Sequence, residues 1–211
     1  MDDHPQDRRE QRKKIRTWLF NPFHYVAGGK ALAIGVAAVL VAGLAGSVSN
    51  SHFDGVLDFH TGAAAPLWMF LVEGLVDWLA LSVFLLLGGL VTSRSRVRPL
   101  DVLGTQALAR FPTVVTALLA LLPGYRRFAA HLAATFGGMP ADAQVAPGDV
   151  VVFAVTALVA LLMIVWMVAL MYRAYSVSCN VRGGRAIGVF IGALVLAEAA
   201  SKAIAIVLAA L

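Results

Sequence analysis

Apolar residues run along this chain in long blocks, the signature of membrane helices rather than of one oversized soluble core. Residues 31–48, ALAIGVAAVLVAGLAGSV, are 18 consecutive uncharged positions. At ~1.5 Å per residue that is just enough to cross about 30 Å of hydrocarbon. AGLAGS within it resembles a signal-peptidase site, but the charged region before it is 30 residues long and the apolar run exceeds a typical signal core. A retained signal anchor is the expectation. Residues 66–91 form a second block, interrupted by Glu73 and Asp77. The third is the weakest: only FPTVVTALLALL, 111–122, is clean, and a span over 103–122 has to include Arg110. Blocks at 150–172 and 186–210 complete the set, the last carrying Glu198 and Lys202. The pattern predicts an all-α polytopic membrane protein: a surface segment over 1–30, then a bundle of five transmembrane helices over 31–211.

Composition agrees, with 60 % of the residues hydrophobic and 14 % charged, against about 25 % charged in an ordinary soluble domain. The net charge of +5 does not point to nucleic acid, because seven of the 17 Lys and Arg residues lie in the first 30 positions and most others flank apolar blocks. Such a distribution sets topology. With the N-terminus cytoplasmic, Arg94, Arg96, Arg98, Arg110, Arg173, Arg182 and Arg185 follow the second and fourth spans on the inside, and only Arg126 and Arg127 fall outside. The C-terminus is then outside. The basic stretch also carries Trp18, Phe20, Phe23 and Tyr25, as a membrane-surface element would, with anionic lipid or a protein partner as its candidate contact beside the bilayer itself. The single cysteine, Cys179, allows no intramolecular disulfide.

The first outer loop contains SHFDGVLDFH, 51–60, a near-palindrome of His52, Asp54, Asp58 and His60. Two imidazoles and two carboxylates suit Zn²⁺ or a similar metal. A two-residue turn at Asp54-Gly55 would, however, leave the mirrored ligands out of register. Phe53, Val56, Leu57 and Phe59 also let the segment dip into the interface as a re-entrant loop with wet polar residues.

Charges inside membrane helices each cost on the order of 2.5–3.5 kcal/mol and need a partner or a function. Glu73 and Asp77 share a face of the second span, and Glu198 and Lys202 a face of the fifth. Asp77 and Glu198 both fall near mid-membrane. If the two helices touch, a Glu73–Lys202 ion pair lies above two carboxylates that share a proton, with Arg110 or a cation relieving the remaining charge. The cluster reads either as a polar lock on helix packing or as a proton- or cation-handling site. Small residues at Ala38, Ala42 and Gly46, and at Gly188 and Gly192, fit close helix contacts. Met163, Met167 and Met171 stripe the fourth span as packing residues. The 125–149 region reads as a short amphipathic helix and a polar loop.

No phosphate-binding glycine loop, zinc-protease helix or nucleophile elbow occurs, and there is no soluble domain to house ordinary catalysis. No enzyme activity and no cofactor are expected.

Asn21-Pro22-Phe23 after a basic N-terminus, FDGVLDFHTG after the first span and DVLGTQALARFP at 101–112 together resemble bacterial members of the Yip (Ypt-interacting protein) family, over residues 20–210. The resemblance implies a five-helix bundle, N-terminus in and C-terminus out, in a bacterial inner membrane. Its eukaryotic members work with Rab-type GTPases through longer N-terminal segments than the ~30 residues here, and its bacterial members have no defined function. The leading expectation is a Yip-like protein of organising or partner-binding role. The alternatives are a small proton- or cation-coupled transporter using Glu73, Asp77, Glu198 and Lys202, and a metal-binding sensor using the outer loop.

Overall fold

A computed structural model describes residues 14–15, 17–136 and 145–210. Most of the basic N-terminal stretch, Arg8, Arg9, Arg12, Lys13 and Arg16, lies outside the described residues. Seven helices follow a short 3₁₀ turn at Pro22–His24: α1 (Gly28–Ser49), α2 (Leu67–Thr92), α3 (Pro99–Ala109), α4 (Pro112–Leu119), α5 (Pro123–Phe136), α6 (Pro147–Ser178) and α7 (Gly183–Ala209). Between α1 and α2 the strands β1 (Ser51–His52) and β2 (His60–Thr61) form a minimal antiparallel pair.

Five helical stretches are long and apolar enough to cross a membrane: α1, α2, α3 with α4, α6 and α7. The chain is therefore a multi-pass membrane protein, as its apolar blocks predict. The third stretch, too, is long and apolar enough to cross, but it starts and ends a few positions before 103–122 and is broken. Pro112 has no N–H to give, and the amides of Arg110, Phe111, Thr113 and Val114 each bond the carbonyl three residues back. The helix tightens into a 3₁₀ turn at the proline and places Arg110 at the break.

This broken span is the most enclosed of the five. It packs against α1 through glycine: a Cβ on Gly35 would lie 2.3 Å from the Ala107 backbone, and one on Gly104 would lie 2.4 Å from the Gly28 carbonyl. Ala38, Ala42 and Gly46 are buried on α1 as the sequence predicts. Gly188 and Gly192 are not, since a Cβ at either would meet open space. That pair does not serve helix contact within this chain. The main core runs the length of the bundle, from Phe23 at the N-terminal end through Tyr175, Met171, Met167, Leu85 and Leu81 to Val56 in the loop. Outward faces of α6 and α7 carry exposed Val151, Val155, Leu158, Leu162, Ile191 and Val195, the surface a hydrocarbon solvent covers.

Gly104→Val is expected to lower the melting temperature measured in detergent micelles, by the equivalent of about 1–3 kcal/mol of overpacking, whereas Gly188→Val leaves it unchanged.

Candidate functional site

The loop between α1 and α2 and the charges of α2 and α7, read separately from the sequence, are one structure. The near-palindrome folds back on itself in register, with Ser51 opposite Thr61 and His52 opposite His60. No two-residue turn forms at Asp54-Gly55. Residues 53–59 make a wider connection, turned by the Asp58 amide on the Gly55 carbonyl at 3.3 Å, and the register argument against the mirror symmetry is overturned. The connection descends into the bundle far enough to bury Val56 and Phe53, as the re-entrant reading has it.

Each charge that α2 and α7 carry near this end of the bundle is then met by the loop. Glu73 takes His52 Nδ1 at 2.8 Å on Oε1 and the Phe53 amide at 3.3 Å on Oε2. Glu198 accepts the Leu57 amide at 3.0 Å. Lys202 donates to Asp54 at 2.9 Å and to Asp58. The predicted Glu73–Lys202 ion pair does not form, because each member has a nearer partner on the loop. Sequence reasoning missed the backbone amides of Phe53 and Leu57, which no side-chain motif announces. It also missed Gly55, where a Cβ would lie 2.4 Å from the Glu198 carboxylate. Only glycine lets the loop approach Glu198 so closely.

His52 carries its own argument. Nδ1 faces the Glu73 carboxylate and Nε2 faces the Ala63 carbonyl at 2.9 Å. Both partners are acceptors, so only the imidazolium satisfies both. Burial works against that charge, but the Glu73 hydrogen bond, the Ala63 carbonyl and the charges of Glu73 and Asp54 outweigh it and raise the pKa above its ordinary 6.5. The ring stacks on Phe70 at 4.5 Å and lies 5.7 Å from the His60 ring. Asp58 is shifted the other way: burial disfavours its charge, yet Lys202 and then His60 hold it below its ordinary 3.8.

The four proposed metal ligands do not assemble. Asp54, Asp58 and His60 converge, with ligand atoms within 4.8 Å of one another, but His52 is turned into the bundle with both nitrogens engaged. The Lys202 ammonium sits among the three, and His60 Nδ1 lies 3.6 Å from each carboxylate. A metal bound by these three would have to compete with the Lys202 ammonium for Asp54 and Asp58.

Deeper in the bundle Asp77 and Arg110 pair at 3.6 Å, both fully buried. Arg110 thus does relieve Asp77, and Glu198 is near enough to act electrostatically on both. The contact is too long for a hydrogen bond. Both Asp77 oxygens, and Nε and Nη2 of Arg110, lack hydrogen-bond partners among the described residues. The buried Ser82 hydroxyl and the Gln106 carbonyl oxygen are in the same condition; the Ser201 hydroxyl lies close enough to Asp77 to interact with it, without the geometry of a full hydrogen bond. Of the five intramembrane polar residues in the sequence, Glu73, Glu198 and Lys202 fasten the loop, while Asp77 and Arg110 form a separate interior pair.

Comparison of the chain with models of known protein families, with curated proteins and with solved structures yields no match.

Two outcomes are expected. Glu73→Gln leaves His52 without its counter-charge and lowers stability by about 1–3 kcal/mol; Glu73→Gln in a His52→Gln background costs less than the sum of the two single changes in a double-mutant cycle read by thermal melting. The latch is also tightest in mildly acidic conditions. The His52 contribution is complete below about pH 6.5 and fades as pH rises through its raised pKa. The Asp58 contribution is complete above about pH 4 and fades as pH falls through its depressed one. Imidazole NMR should give a His52 midpoint above 6.5, and amide exchange at Phe53 and Leu57, corrected for intrinsic rates, should accelerate on both sides of the window.

Proposed function

We propose that this chain is a Yip-like, non-enzymatic protein of a bacterial inner membrane, which organises that membrane or a partner at its N-terminal surface. The supporting observation is that Glu73, Glu198 and Lys202, the charges a small carrier would use, are engaged in holding the protein's own loop. The N-terminal segment fits the role. Phe23 is buried in the main core, and Trp166 Nε1 donates to the Leu19 carbonyl at 3.0 Å. Thus anchored, the segment exposes Trp18, Leu19, Phe20 and Tyr25, with Trp18 stacked on Tyr25 at 5.2 Å. Aromatic residues presented this way, next to a basic sequence, suit the headgroup level of a membrane. The charge distribution favours N-terminus in and C-terminus out.

A second reading, a proton- or cation-coupled transporter, draws on the Asp77–Arg110 pair, whose buried and unsatisfied polar atoms resemble the interior of an ion pathway.

The two readings separate in reconstituted liposomes. Under an imposed pH gradient, followed with an internal pH dye, the organising role predicts proton flux equal to that of protein-free liposomes, with and without Na⁺ or K⁺. Flux that disappears in Asp77→Asn would transfer the assignment to the carrier. Periplasm- and cytoplasm-selective reporters fused to the C-terminus should report the outer side, and a spin label at Phe20→Cys should lie at headgroup depth.

A further inference from the structure

Phe59, His60 and Thr61 of the loop line a groove between α5 and α6, with a volume of about 490 Å³. Its walls are apolar: Leu132 and Ala133 from α5, and Phe153, Ala157, Leu161 and Ile164 from α6. Phe59, Tyr125 and Phe153 form a row of rings along it, with successive centroids 6.4 and 5.2 Å apart. Polarity appears only where the loop meets the groove, at His60 and at the Thr61 hydroxyl, 3.0 Å from the Tyr125 hydroxyl.

That polar end adjoins a second hollow of about 770 Å³, which shares Thr61 and Ala133 with the groove and is lined by Arg126 and Arg127. The two arginines differ. Arg127 is neutralised by Asp149, with contacts of 2.5 and 3.0 Å. Arg126 is exposed and has no ion pair among the described residues, so within them its positive charge is uncompensated.

We propose that groove and hollow together bind one anionic phospholipid, with an acyl chain along α6 and the phosphate against Arg126. Three features support this occupant. Residues 153–164 of α6 extend about 16 Å, which matches one leaflet, half of the ~30 Å hydrocarbon thickness. The apolar walls run from the loop end into the bundle and the cation sits at the loop end, which is the polarity of a lipid in that leaflet. Arg126 also stands on the side of the bundle that the charge distribution otherwise keeps poor in basic residues, where phosphate recognition gives it a role. This site is distinct from the N-terminal surface segment at the opposite end, and its occupancy does not depend on the proposed organising role.

The test is native mass spectrometry of the full chain released from micelles containing equal amounts of phosphatidylglycerol and phosphatidylcholine with the same acyl chains. The wild type is expected to retain phosphatidylglycerol about tenfold more than phosphatidylcholine: both bring a phosphate to Arg126, but the choline ammonium of the second leaves its headgroup neutral and repels the guanidinium. Arg126→Gln should bring that ratio close to one at an unchanged melting temperature, while Arg94→Gln, at the other end of the bundle, leaves it intact. Ala157→Trp fills the groove and should remove both adducts, with Ala133→Leu as the milder filling variant if the first does not fold. Equal retention of the two lipids by the wild type, a preference that survives Arg126→Gln, or adducts undiminished in a folded filling variant would each overturn the proposal.

Discussion

The fold depends on how charges inside membrane helices find partners. At the loop end the answer is the same three times: a polar group of the loop reaches down to a charge on a helix. Lys202 is gripped by Asp54 and Asp58, Glu73 by His52 and the Phe53 amide, and Glu198 by the Leu57 amide. None of these partners comes from the opposing membrane helix. The fold thereby converts a cost of insertion into a device that fixes a loop, because each charge is most stable only when residues 52–58 are seated. Val56, buried in the same core as Phe23 at the far end, adds an apolar plug to the polar contacts, so loop position and helix packing are coupled.

The interior pair follows a different logic. Asp77 lies on α2 four residues beyond Glu73, one turn deeper, where the loop does not reach. Its counter-charge has to come from another helix, and the proline break in the third span provides a site for it. With Pro112 tightening the turn, Arg110 sits in the most enclosed span, 3.6 Å from Asp77. Two opposite charges at that distance in low dielectric attract strongly, yet their remaining donors and acceptors are unsatisfied. The bundle therefore contains one polar region that is partly open and well paired and another that is fully enclosed and incompletely paired. This difference is why a structural role accounts for Glu73, Glu198 and Lys202 more completely than for Asp77 and Arg110.

Much of this was legible in the sequence, and the reason is physical. A membrane helix must satisfy its backbone internally and bury its side chains in hydrocarbon, so five apolar blocks translate into five spans with little tertiary input. Even the weak third span was identifiable, because excluding it would have placed basic residues on the wrong side. Partner choice was less accessible. The spacing of Glu73 and Asp77, or of Glu198 and Lys202, reports a shared helix face but not what lies opposite, and the pairing of Glu73 with Lys202 was reasonable until the loop was seen to intervene. The palindrome around Val56 misled through its turn dipeptide. Asp-Gly favours a two-residue turn locally, but three contacts to buried charges outweigh that preference and hold the wider connection, in which His52 and His60 face each other. Glu198 constrained Gly55 by close approach, which looks the same in sequence as a turn glycine.

The loop also joins the two ends of the functional argument. Its first half, from His52 to Leu57, is fastened to Glu73 of α2 and to Glu198 and Lys202 of α7. Its second half, Phe59 to Thr61, lines the groove between α5 and α6. His60 belongs to both, lying 3.6 Å from the carboxylates that hold Lys202 and on the groove's polar rim. A rearrangement of the latch therefore cannot leave the groove unchanged, since the strand that pairs His60 with His52 is the strand that carries Thr61 to Tyr125. Occupancy of the groove bears on the latch through the same three residues, by the reciprocity that governs any pair of coupled sites. The charges of α2 and α7 thus act, through the loop, on the shape of the groove between α5 and α6.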